Sequence, residues 1–80
     1  MKVTSMANNQ YIIEHNGVTY FQSYNVIVAK KSKGKTILDK DYYQYSRTTI
    51  KYRNMFLGLS SASVNDAIKN GKITLGKLNK

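Results

Sequence analysis

Tyr11-Ile12-Ile13-Glu14-His15-Asn16-Gly17-Val18-Thr19-Tyr20-Phe21 is two β-rich runs joined by Asn16-Gly17. Asn-Gly supplies both positive-φ residues of a type I′ turn, whose twist matches that of paired antiparallel strands. The stretch predicts a hairpin, and the remaining elements are built outward from it. Downstream, Tyr24 to Lys31 is a further β-rich stretch around Val26-Ile27-Val28-Ala29, with Gln22-Ser23 as a bulge or bend before it. Lys31-Ser32-Lys33-Gly34-Lys35 reads as a turn into a short strand, Thr36-Ile37-Leu38, which Asp39-Lys40-Asp41 breaks. Upstream, residues 1–9 show no sustained period and are expected to be a disordered, frayed N-terminus.

The period changes after residue 45. Ser46 to Leu57 begins with a cap residue and is followed by Gly58, which predicts the main helix over about 46–57. Ile50, Phe56 and Leu57, with Tyr52 or Met55, form its expected apolar stripe. Arg47, Lys51 and either Arg53 or Asn54 then face outward. Ser63-Val64-Asn65-Asp66 has the form of a capping box with Asp in the acidic role, opening a short second helix over about 63–70. Lys72-Ile73-Thr74-Leu75 reads as a last strand that rejoins the sheet. The expected fold class is α+β: an antiparallel β-meander of three to four strands, two helices packed on one face, and a C-terminal strand. Residues 10–80 form a single domain, without internal repeat or linker. The face opposite the helices is left open to a ligand.

Size and composition limit what such a domain does. Eighty residues bury only about 60% of the unfolded surface, so stability amounts to a few kcal/mol and a binding surface is more economical than a deep pocket. Cysteine is absent, which excludes disulfides, thiolate nucleophiles and Cys-ligated zinc. The apolar run at Val26–Ala29 is four residues, where a membrane span needs about 20. No apolar run follows the N-terminal Lys2, so no secretory signal is expected. These features describe a soluble, intracellular domain. His15 is the only histidine and stands alone. Asp39 and Asp41 have no third ligand nearby, and an Asx-turn or strand stop suits them better than a metal. No nucleophile–base set, metal-ligand spacing or phosphate-binding glycine loop is present. The expectation is a non-enzyme with no cofactor, no metal and no small-molecule substrate.

The net charge is +9. Lys2 balances Glu14 in residues 1–29, so the whole excess lies in residues 30–80; residues 30–53 alone carry eight basic residues against two acids. A field concentrated on one surface steers a polyanion. Seven tyrosines accompany it, three of them in Tyr42-Tyr43-Gln44-Tyr45 between Lys40 and Arg47. Basic groups interleaved with aromatic rings suit single-stranded nucleic acid, where each base stack contributes about 1–3 kcal/mol. The competing reading is structural, since tyrosine is at home in sheets with its ring buried and its hydroxyl wet. The lysine run has two readings as well: a solvated hairpin tip that guards a strand edge, or a loop that grips phosphates. The candidate nucleic-acid-binding residues are Lys31, Lys33, Lys35, Arg47, Lys51 and Arg53 for phosphate, and Tyr42 and Tyr45 for stacking. The partner expected is DNA or RNA, or a host protein–nucleic acid complex.

From Ile37 to Gly58 the chain resembles small phage- and prophage-encoded proteins of Gram-positive bacteria whose function is unknown. The resemblance rests on Leu38-Asp39, the aromatic pair Tyr42-Tyr43, Tyr45-Ser46-Arg47-Thr48-Thr49 and Arg53-Asn54-Met55-Phe56-Leu57-Gly58. It extends over roughly residues 18–78, through the strand at Tyr20–Ala29 and the tail at Asn65–Leu75. Members of that family often carry Trp where this chain has Tyr43. The resemblance implies a phage origin, the cytoplasm of a bacterial host, and a role in binding nucleic acid or blocking a host machine. In the second case the protein is an inhibitor, for instance of a defence nuclease in the manner of an anti-CRISPR.

Overall fold

Asn16 and Gly17 both take the left-handed conformation (φ 51° and 78°), and the turn they make joins β2 (Gln10–His15) to β3 (Val18–Ser23). In the computed structural model, which describes residues 1–79, this hairpin is the middle of a larger meander. β1 (Lys2–Ala7) precedes it; β4 (Val26–Ser32) and β5 (Lys35–Asp39) follow. The helices α1 (Arg47–Leu57) and α2 (Ser61–Lys69) come next, and β6 (Ile73–Gly76) ends the order. The six strands lie in one sheet in chain order, antiparallel throughout except for β6, which pairs in parallel with β5.

The expected three to four meander strands undercount this sheet, because Lys2–Ala7, expected to fray, pairs with β2 from Lys2 opposite Glu14 to Ala7 opposite Gln10. Its positions are largely exposed, so the strand lacks the apolar alternation by which a strand is recognised. Cross-strand backbone pairing supplies the order instead. The bend placed at Gln22-Ser23 falls two residues later, at Tyr24-Asn25. The bulge lies in β4, where Val28 is the extra residue between Ile27, opposite Gln22, and Ala29, opposite Phe21.

One sheet face carries Ile12, Phe21, Ala29 and Leu38 in a cross-strand row. Phe21, Ala29 and Leu38 are fully buried and join Val28, Phe56, Val64 and Ile73 in the core. α1 lies against β2, β3 and β4, and α2 against β6. Phe21 and Phe56 stack with centroids 5.8 Å apart. Strand residues of opposite parity point to the other face, which neither helix covers.

Ser46 caps α1 as expected, accepting from the Thr49 N–H, and Gly58 ends it at φ 70°. The inward stripe differs from the expected one. Thr49, Arg53 and Phe56 are buried, and Met55 is 59% exposed. Polar groups enter the interior here because each finds a partner: the Thr49 hydroxyl lies 2.8 Å from that of Ser23. α2 starts two residues before the expected capping box, with Ser60 accepting from the Ser63 N–H. At the other end Asn79 acts as a substitute strand. Its amide accepts from Ile27 N–H and donates to Ile27 C=O, both at 2.8 Å.

Candidate nucleic-acid interface

The two-residue turn from β3 to β4 puts Tyr24 in the left-handed region (φ 56°), a conformation that costs a bulky residue about 1–2 kcal/mol. The ring is held out into solvent, 41% exposed. The loop from Lys40 to Ser46 folds beside it. Asp39 organises that loop: its buried carboxylate accepts from the N–H groups of Asp41, Tyr42 and Leu78 at 3.1, 3.0 and 2.8 Å. Burial alone would raise the Asp39 pKa. Those bonds, with one from Asn79, outweigh it and hold the group below its ordinary 3.8.

The loop so fixed brings Tyr45 against both Tyr24 and Tyr42. Ring centroids are 6.5 and 5.5 Å apart, both edge-to-face. Tyr45 is 56% exposed, and Tyr24, Tyr45 and Ser46 line a shallow pocket. Arg47 and Lys51 continue from this cluster one helical turn apart on the exposed side of α1. The Lys51 ammonium lies 5.4 Å from the Tyr52 ring centroid. Aromatic edges and faces thus adjoin two free cations, an arrangement able to stack bases and to contact a phosphate backbone.

Of the eight residues the sequence put forward, the fold brings together Tyr42, Tyr45, Arg47 and Lys51. Lys33 and Lys35 are exposed at the β4–β5 turn, the opposite end of the sheet. The 11-residue α1, about 16 Å long, runs from the tyrosines toward that end. Lys31 and Arg53 are committed elsewhere. The Lys31 ammonium donates to the Phe56 carbonyl at 2.8 Å and sits 4.6 Å from the Phe56 ring centroid, at the negative end of α1.

Arg53 is 2% exposed. Its guanidinium donates to Tyr43 C=O at 2.9 Å and twice to the Asn54 side-chain oxygen at 3.1 and 2.7 Å. Burial lowers its pKa, with Tyr43 acting in the opposite direction. Arg53 therefore ties the tyrosine loop to α1 and offers nothing to a ligand. Asn54 passes the connection on to the Ser61 hydroxyl of α2.

Tyr24 is the site residue that sequence reasoning missed. It reads as the first residue of a β-rich run, and only its place in a two-residue turn between strands turns the ring outward. Elsewhere, the exposed His15 ring bonds its neighbour Asn16 at 3.2 Å. Among the described residues no three His, Cys, Asp or Glu side chains are grouped to hold a metal, and no helix is long and apolar enough to cross a membrane.

Neither a curated protein nor a solved structure matches the chain. The model of a family of unknown function, DUF8033, matches residues 1–73, from β1 to the first residue of β6. That span takes in the tyrosine loop, α1 and the buried Asp39 and Arg53, and the chain belongs to this family.

Proposed function

We propose that the protein is a small phage accessory protein, working without catalysis in the cytoplasm of a bacterial host, that binds single-stranded nucleic acid. The observation that carries this reading is the Tyr24–Tyr45–Tyr42 cluster, with Tyr24 and Tyr45 exposed and Tyr42 half-buried, beside the exposed Arg47 and Lys51 in a chain of net charge +9. Tyr24 and Tyr45 receive bases; Arg47 and Lys51 contact phosphates. Protruding rings favour a single strand, because duplex bases are already stacked on one another. A second reading, a protein-directed inhibitor of a host machine or defence nuclease in the manner of an anti-CRISPR, draws on the helix-free face of the sheet.

The test is fluorescence anisotropy of a labelled oligothymidylate across a salt series. Tyr45→Ala is expected to weaken binding by about 1–3 kcal/mol. Arg47→Ala is expected to reduce the slope of log K against log salt by about 0.7. Absence of binding at low salt removes the reading. Equal losses from Lys33→Ala and Lys35→Ala would move the site to the other end of the molecule.

A further inference from the structure

The sheet face without helices is not the polar surface that a one-sided antiparallel sheet normally shows to water. Its central row runs Val3, Ile13, Tyr20, Lys30, Ile37 and Thr74, each opposite the next across all six strands. A second row adds Tyr11, Gln22 and Ile27. Val3 is 55% exposed, and Ile13, Tyr20, Ile27 and Ile37 are only half-buried. Val3, Ile13 and Tyr20 adjoin one another, with Ile37 beyond Lys30, and apolar surface gathered in this way is a mark of interaction sites. Lys30, Ser32, Lys33, Lys35 and Ile37 line a pocket. The one carboxylate on the strand positions of this face, Asp39, is buried and held by N–H groups.

We propose that the helix-free face docks an apolar segment of another protein whose carboxylates enter the lysine pocket. Charge complementarity selects this occupant. A second copy placed face to face would set Lys30 and Lys35 against a surface that carries the same lysines and whose strand carboxylate, Asp39, is buried. Such a self-complementary contact repels. A nucleic acid would satisfy the lysines, but the aliphatic positions Val3, Ile13 and Ile37 offer bases no ring to stack on. Tyr11 and Tyr20, by contrast, are residues on which protein interfaces anchor. This surface is separate from the tyrosine cluster, so the inference stands or falls independently of the nucleic-acid reading.

The experiment is a titration of isotope-labelled protein, followed by NMR, with a short peptide of alternating glutamate and leucine. The expected result is saturable shifts centred on Tyr20, Lys30 and Ile37. Lys30→Glu/Lys35→Glu should weaken the peptide by about tenfold or more, and Lys30→Gln/Lys35→Gln by less. The Gln pair keeps the test informative if the charge-reversed protein folds poorly. Tyr45→Ala/Arg47→Ala should titrate like the wild type. Four outcomes overturn the proposal: no shifts on this face; equal affinity for a lysine–leucine peptide; tighter binding of oligothymidylate at the same residues; or concentration-dependent broadening of the face signals in the protein alone.

Discussion

Arg47 and Arg53 lie six residues apart on α1 with opposite fates. Arg47 is exposed at the first turn, and Arg53 is buried with its fork closed on Tyr43 and Asn54. Arg53→Met should therefore cost about 2–4 kcal/mol, since it leaves the Tyr43 carbonyl and the Asn54 oxygen without their donor. Arg47→Ala should change stability by no more than about 0.5 kcal/mol. Thermal unfolding of the two variants checks the contrast, and near-equal melting temperatures would contradict the burial of Arg53. Tyr24→Asn separates strain from binding, because Asn tolerates the left-handed region. It should raise stability by about 1 kcal/mol while weakening the oligonucleotide. At Asp39, the folded pKa lies below the ordinary 3.8, so its ionised form favours folding. That contribution is complete above the ordinary value and is lost as pH falls through the lower folded one. Asp39→Asn should be less stable than the wild type at pH 7, with the gap closing on acidification. Urea unfolding at pH 7 and in acid measures it.

Among the elements, those carried by local chemistry were the legible ones. Asn16-Gly17 specifies the β2–β3 hairpin through two positive-φ residues, and Ser46 and Gly58 bound α1 through their caps. Ser46→Ala should lower stability by about 1 kcal/mol, read as a shift in the midpoint of chemical unfolding. An unchanged midpoint would mean that the Thr49 N–H finds another acceptor. The elements that escaped reading depend on contacts distant in the chain. β1 has no apolar period and exists because β2 offers a free edge. The inward face of α1 is led by Thr49 and Arg53 because Ser23, 26 residues away, and the Tyr43 carbonyl lie beneath them. Helical periodicity places apolar residues inward by default, and it has no means of foreseeing a partner that only folding supplies.

For the whole molecule, a net charge of +9 on 80 residues, all of it arising in residues 30–80, means that compaction works against repulsion among like charges. The melting temperature should accordingly rise from low to moderate salt as that repulsion is screened; a fall would mean that favourable ion pairs dominate. The same salt should weaken oligonucleotide binding, so stability and affinity are expected to move in opposite directions. The charge excess in residues 30–53, the tyrosine enrichment, the α+β class and one hairpin were determined by the sequence alone, because composition and nearest-neighbour backbone preference need no partner. Which cations remain free was decided only by tertiary structure. Lys31 bonds a helix carbonyl, Arg53 a loop carbonyl, and Lys33 and Lys35 sit a helix length from the tyrosines. A charge keeps its sign wherever the chain puts it, but its availability depends on what the fold sets within hydrogen-bond reach.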